Sequence, residues 1–310
     1  MEPLGVRQTK SEAPETQPNA DAPLAANAPV WRKIPLDAGL HVVATPIGNL
    51  RDVTLRALDT LASADVIACE DTRMTGRLLA AYGIRTPLTP YHDHNAAAAR
   101  PKLLARLAAG EAIALVSDAG TPLVSDPGFK LVRAALEAGH RVIPVPGASA
   151  LLAGLVAAGL PTDRVTFAGF LPSKAGARER ALRALAGHDA TLVFYESGPR
   201  LAASLAAMAG VLGAREAAVA RELTKLHEEV RRGSLEDLAA HYAGAGPPKG
   251  EIVVVVGPPG ASEEPDAASL DARLAELVPG LGVKGAARQV ATETGLPMRD
   301  LYARALALPR

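Results

Sequence analysis

From residue 40 onward, short apolar runs alternate with longer stretches in which Leu and Ala recur every three or four positions. The first pattern marks buried strands and the second amphipathic helices. Strands are predicted at residues 40–46, 65–69, 112–117 and 141–146, with helices at 55–61, 75–81, 97–107 and 129–138. Gly83, Gly110 and Gly139 punctuate helix ends, as expected where a helix closes in a left-handed residue. Strands and helices in this alternation build a mostly parallel sheet covered on both faces.

Beyond this point the pattern changes. Pro146-Gly147-Ala148-Ser149-Ala150 opens an Ala/Leu-rich helix that stops at Gly159-Leu160-Pro161. Strands follow at 165–171, 191–195, 216–223, 228–233 and 252–256, with fewer helices between them. The third and fourth, separated by a short polar turn, read as an antiparallel pair. Gly257-Pro258-Pro259-Gly260 and the residues after it have linker composition. Helical patterns at 270–278, 284–294 and 298–306 then suggest a small appendage of helix-turn-helix kind, broken at Gly295-Leu296-Pro297. The N-terminal stretch is rich in Pro, Ala, Glu, Asn and Gln and has too little apolar surface to offset the entropy of ordering. Trp31 is its exception, expected to dock near the first strand. The fold class is thus α/β. The expected organisation is a disordered tail over 1–37, an α/β domain over 38–147 and a second, mixed-sheet α/β domain over 148–257. A linker over 258–269 and a helical domain over 270–310 complete it.

Composition narrows the function classes. With 310 residues and 48% apolar side chains, the chain can bury two cores. Lys plus Arg and Asp plus Glu number 33 each, so total charge argues neither for nor against a nucleic-acid partner, and any such affinity must come from a local basic face. The single cysteine, Cys69, excludes an intrachain disulfide, suits a reducing compartment, and lies in an apolar run as a buried structural thiol. No apolar run is long enough to cross a bilayer, and the first residues carry Pro, Glu and Gln where a signal peptide needs an apolar stretch. A soluble cytoplasmic protein is expected.

Two loops carry the candidate chemistry. Ala44-Thr45-Pro46-Ile47-Gly48-Asn49-Leu50 follows the first strand, and Ser117 to Gly128, with Gly120-Thr121-Pro122 inside it, follows the third. Such loops let backbone approach a ligand closely, and strand ends in an α/β sheet are where ligands bind. Neither matches G-x-G-x-x-G and neither has a P-loop lysine, which disfavours dinucleotide and nucleoside-triphosphate sites. Pro46, Gly48, Gly120, Thr121, Gly147 and Ser149 would make a pocket of small side chains and backbone groups suited to a neutral or cationic adenosine-type ligand. The alternative is that they are plain tight turns. Polar groups gather at other strand ends: Glu70-Asp71-Thr72-Arg73, Tyr91-His92-Asp93-His94-Asn95, Tyr195-Glu196-Ser197 and Arg221 to Glu229. His92-x-His94 has metal-binding spacing without a second ligand group, which favours hydrogen bonding or substrate contact. The run from Glu222 to Glu229 could equally be a solvated hairpin turn.

Several tracts together resemble one family, the bacterial 16S ribosomal RNA (cytidine-2′-O)-methyltransferases. They are Val43-Ala44-Thr45-Pro46-Ile47-Gly48-Asn49-Leu50, Glu70-Asp71-Thr72-Arg73, His92-Asp93-His94-Asn95, Ser117-Asp118-Ala119-Gly120-Thr121-Pro122 and Asp126-Pro127-Gly128. Pro144-Val145-Pro146-Gly147, Ala158-Gly159-Leu160-Pro161, Phe194-Tyr195-Glu196-Ser197, Arg221-Glu222-Leu223-Thr224-Lys225 and Lys249-Gly250-Glu251 continue the series. More distantly the chain resembles the wider tetrapyrrole-methylase fold family. The resemblance implies two α/β domains of the tetrapyrrole-methylase type (class III methyltransferase), S-adenosylmethionine as methyl donor in the cleft between them, no metal, and a homodimer. It also implies that Pro46, Ala119, Gly120, Thr121, Val124, Ser149, Ala150, Tyr195 and Leu223 line the cofactor pocket. Gly198-Pro199 stands where relatives often have a histidine before the residue matching Arg200.

Methyl transfer to a ribose hydroxyl needs an in-line approach and a proton acceptor. Glu70, Asp71, His92, Asp93, Asp118, Glu196, Glu222 and Lys225 form the pool of candidates. Glu70 or Asp118 is the first choice for the acceptor, and Lys225 or Arg73 for a contact to phosphate or the developing oxyanion. The implied partner is 16S rRNA in the small ribosomal subunit. With few aromatic residues, RNA would be positioned mainly by Arg51, Arg73, Arg77, Arg178, Arg180, Arg200, Lys284, Arg288, Arg299 and Arg304. Competing readings are a tetrapyrrole or other small-molecule methyltransferase on the same fold, and a non-catalytic ribosome-associated RNA binder.

Overall fold

The computed structural model describes residues 30–124, 128–260, 267–294 and 296–308. Most of the expected tail, residues 125–127 of the second loop and half of the expected linker, residues 261–266, lie outside the described residues.

The first unit runs β1 (Gly39–Val43), α1 (Leu55–Ser63), β2 (Val66–Cys69), α2 (Thr72–Ala81), β3 (Leu88–Pro90), α3 (Ala96–Ala108), β4 (Ala112–Val116), α4 (Phe129–Glu137) and β5 (Val142–Val145). All of its strand pairs are parallel, in the order β3-β2-β4-β1-β5. β2 and β4 are buried along their whole length, which explains why they read as unbroken apolar runs. Leucines of α1 and α2 pack on one face beside Val43, Ile67 and Val116. Those of α3 and α4 cover the other face beside Leu40, Ile113 and Leu115. Thr54 caps α1 by accepting from Ala57 N, and Asp71 caps α2 by accepting from Arg73 N. Trp31 does dock: its indole donates to Tyr82 O, at the end of α2, over 2.7 Å. β3 adds an edge strand to the expected set; three residues ending in a proline carry no strand periodicity.

The second unit runs α5 (Ala150–Ala158), β6 (Val165–Phe170), α6 (Ala175–Leu185), β7 (Thr191–Ser197), α7 (Gly198–Leu212), β8 (Glu216–Arg221), β9 (Glu229–Ser234), α8 (Leu235–Ala245) and β10 (Glu251–Val256). Its sheet has the order β6-β7-β10-β8-β9. Only β6 and β7 are parallel, and β8 and β9 form the expected antiparallel pair. α5 lies on one face, while α6, α7 and α8 cover the other. Those three helices exceed the expectation of few helices here. Alanine dominates their sequence, which flattens the contrast between buried and exposed faces. The third unit is α9 (Ala267–Thr294), kinked at Gly282, and α10 (Met298–Ala307), closed around Leu274, Val290 and Leu301.

Candidate active site

Three bends meet at the carboxyl edge of the parallel sheet. Thr45 N donates to Gly120 O over 2.9 Å, and Gly120 N returns a bond to Thr45 O over 3.1 Å. Thr45 Oγ1 also donates to Ser117 O, 3.2 Å away. Thr121 Oγ1 donates to Ala148 O over 3.1 Å, joining the second loop to the turn that opens α5. A cleft of about 460 Å³ lies over this junction and is walled on its far side by the second sheet.

Eight of the nine residues assigned to the cofactor line this cleft: Ala119, Gly120, Thr121, Val124, Ser149, Ala150, Tyr195 and Leu223. Pro46 lines an adjoining hollow of about 230 Å³ together with Gly48 and Lys225. Glu70 and Asp118 line the main cleft, whereas Lys225 borders only the hollow. Arg73 lines neither; its side chain is 85% exposed and pairs with Asp71 at 2.7 Å. That guanidinium holds the Asp71 carboxyl down at about 2.

The described lining of the main cleft holds four carboxylates, Glu70, Asp118, Glu196 and Glu251, and no lysine or arginine. Two of the four are answered from outside. Glu196, 3% exposed, accepts from Ser204 Oγ at 2.5 Å and Ser197 N at 2.8 Å, and its Oε1 lies 3.3 Å from Arg200 Nε. Glu251 takes Lys225 Nζ at 3.1 Å. Asp118 accepts from Asp71 N over 3.1 Å, at the N-terminus of α2. Burial pushes the Glu70 carboxyl above its ordinary value, with Asp118, Asp93 and Asp71 adding to the rise and His92 opposing it.

The loop between β8 and β9 is held over Glu222–Lys225, which is buried or half-buried, while Leu226, His227 and Glu228 are exposed. Among the described residues, the non-glycine positions with positive φ are Glu222 and Thr224, in this loop, and Leu123, in the loop after β4. Strain of this kind persists only where surroundings over-determine it. Glu222 accepts from Lys225 Nζ at 2.9 Å and from Glu251 N at 3.2 Å, and Glu228 accepts from Thr224 N at 2.6 Å. Burial works against the Lys225 charge, but the bonds from Glu222 and Glu251 outweigh it and raise the ammonium pKa. The methylene stem of Lys225 lies over Gly48, where a Cβ would collide with it. Lys225 therefore ties the second unit to the first glycine loop.

Sequence reasoning missed Ile47, Phe170, Gly250, Glu251, Ile252 and Val253 as lining residues. The tract Lys249-Gly250-Glu251 is a usable signal for two of them. Phe170 and Val253 lie inside strands whose apolar pattern reports burial alone.

A pair of three-layered α/β units with a cleft at the strand ends is the architecture of a class of methylases. Residues 39–239 match the family of Tetrapyrrole (Corrin/Porphyrin) Methylases, and residues 264–309 match the RsmI C-terminal HTH domain. The structure resembles uroporphyrin-III-C-methyltransferase from Thermus thermophilus, at 24% identity and TM-score 0.51 over 71% of this chain and 94% of that one. It also resembles cobalt precorrin-4 methyltransferase, at 18% identity and TM-score 0.53 over 70% of this chain and 94% of that one. These likenesses concern the fold. Sequence relatives narrow the class. Ribosomal RNA small subunit methyltransferase I of Mesorhizobium japonicum is 55% identical over 88% of this chain and 93% of its own. The protein of that name from Erythrobacter litoralis is 56% identical over 88% and 96%, and that from Escherichia coli O157:H7 46% over 86% and 94%. The chain belongs to the ribosomal RNA small subunit methyltransferase I family within the tetrapyrrole methylases, and it is a methyltransferase.

Proposed function

We propose that the chain transfers a methyl group from S-adenosylmethionine to the ribose 2′-hydroxyl of a cytidine in 16S rRNA of the small ribosomal subunit. The observation that carries this reading is the cleft with four carboxylates and no cation in its described lining. Such a wall repels phosphate and favours a positively charged ligand. Its volume, about 460 Å³, and its small and apolar side chains suit an adenosyl group. Ala119, Gly120, Thr121, Val124, Ser149, Ala150, Tyr195 and Leu223 would hold the methyl donor, with Pro46 shaping the loop beside it. When bound, the donor supplies an electrophilic methyl carbon on a sulfonium.

The chain's own groups do the rest. The strained loops at Leu123 and Glu222–Thr224 fix the walls before ligand arrives; orientation of this kind contributes roughly 7–11 kcal/mol to barrier lowering. Glu70, whose raised pKa makes it the more basic carboxylate, accepts the hydroxyl proton, an effect worth about 10²–10⁴-fold. Asp118 stays anchored to the α2 N-terminus and keeps the cleft negative. Lys225, already answered by Glu222 and Glu251, positions the first loop rather than binding phosphate. Arg77, which lines the hollow beside Pro46, and the exposed Arg73 on the same helix meet the RNA backbone. The enzyme works in the cytoplasm as a homodimer, a reading supported by exposed Leu152 and Val156 on α5.

Labelled S-adenosylmethionine, small ribosomal subunits and the full chain test this directly. Digestion to nucleosides is expected to release label in 2′-O-methylcytidine. Label in a base, label in a porphyrin precursor offered in parallel, or no transfer would each reject the assignment.

A further inference from the structure

A bulge in β6 turns one phenylalanine into the mouth of the cleft. Phe167 pairs with Val193 of β7, but the next matched pair is Gly169 with Phe194, so Ala168 is the extra residue. Gly169 has φ +61, which a side chain would strain. In an unbroken strand Phe167 and Phe170 would face opposite sides of the sheet. The inserted residue cancels that alternation. Both rings now sit edge-on to Tyr195, at centroid distances of 4.9 and 5.6 Å. Without the bulge Phe170 would pair with Glu196, whose side chain goes to the α7 face. Bulges beside active sites commonly re-aim a side chain in this way.

The two aromatic rings have different fates. Phe167 is packed against the core beneath α5. Phe170 lines the cleft yet remains 54% exposed. Its platform is rigid: Tyr195 Oη accepts from Leu151 N at 3.1 Å, Arg200 Nη2 donates to Leu171 O, and Arg178 Nη1 donates to Ser173 O at 3.3 Å. An open ring on a fixed edge, at the rim of a cleft that must admit one unstacked nucleotide, matches a stacking surface.

We propose that Phe170 is a positioning residue that stacks on the pyrimidine ring of the extruded nucleotide and so sets its ribose against the cleft. This rests on the RNA substrate proposed above. The ring belongs to the base rather than to the adenine of the methyl donor, because Phe170 is exposed while Gly120 is buried and Thr121, Ser149 and Ala150 are half-buried in the same lining.

The test compares F170A, F170L and F170Y in the full chain, with steady-state methylation of small ribosomal subunits and calorimetric affinity for S-adenosylmethionine. F170A is expected to lower kcat/KM for RNA roughly tenfold to a hundredfold, the range for loss of one base–aromatic stack. F170Y should recover most of that loss, F170L should not, and donor affinity should stay within about twofold because no donor contact is removed. Undiminished RNA methylation by F170A, equal rescue by leucine, a parallel loss of donor affinity, or dissociation of the oligomer would each overturn the proposal. Absence of RNA methylation by the wild-type chain would instead overturn the substrate assignment and this inference with it; an active wild type with an equally active F170A overturns this inference alone.

Discussion

Glu70 stands half-buried at the end of β2 with Asp71, Asp93 and Asp118 around it. A carboxylate so placed keeps its proton to a higher pH than its ordinary 4.5. Two consequences follow, with opposite signs for stability and for rate. The folded-state pKa lies above the unfolded one, so folding takes up a proton between them, and stability falls as pH rises through that window. At neutral pH the ionised Glu70 is therefore a cost to folding. The methyl-transfer rate moves the other way, since only the ionised form accepts a proton, and it should fall as pH drops through the raised pKa. E70Q removes both effects. Its single-turnover rate should drop by about a hundredfold or more and lose its acid limb, while its melting temperature at pH 7 rises. A variant with a wild-type pH profile would assign the proton to another group, with Asp118 next in line.

The turn leading into β10 joins several elements through one glycine. Gly250 has φ +98, and a Cβ there would collide with the Glu222 carboxylate, which in turn holds Lys225 over the first loop. G250A should cost about 1–3 kcal/mol through its backbone conformation alone, seen as a lower melting temperature, and should weaken donor affinity as Glu222 is displaced. Gly244, inside α8 with nothing within 4 Å of a built Cβ, is the contrast. G244A should stabilise by roughly 0.4–1 kcal/mol without touching affinity. The tract Lys249-Gly250-Glu251 marks the first position and no motif marks the second, but what a Cβ would meet at either is not legible in the sequence. The strands of the first sheet are readable because burial on both faces leaves continuous apolar runs such as Ala112-Ile113-Ala114-Leu115-Val116. The glycine loops after β1 and β4 are readable because Gly and Pro crowded at a strand end can continue neither the strand nor a helix. The bulge at Gly169 is not readable, since an inserted residue leaves the run from Val165 to Phe170 as apolar as before. Nor is the role of Val253, which reaches the cleft only through the antiparallel register of β10 between β7 and β8.

Across the whole molecule, charge is divided by unit. The cleft is acidic, so the polyanion it serves has to be held from elsewhere. Arg273 and Arg304 are occupied within the helical unit, pairing with Glu276, Glu293 and Asp271. Lys284 and Arg288 are exposed on the same unit, as is Arg299, which pairs with its neighbour Asp300 at 3.2 Å. Among the described residues, its core, closed by Leu274, Val290 and Leu301, draws on none of the other two units. We propose that 38–147, 148–257 and 270–310 are separate domains, the last serving as the RNA-holding arm. A chain ended after Gly260 should then fold, keep its affinity for S-adenosylmethionine, and lose most of its affinity for small ribosomal subunits. The salt dependence separates this from a general loss of activity. Each phosphate contact adds about 0.7–0.9 to the slope of log affinity against log salt, so removing three exposed cations should flatten it by roughly two to three. Equal slopes for the full and shortened chains would place the RNA-binding cations on the α/β units instead, with Arg73 and Arg77 on α2 as the first to examine.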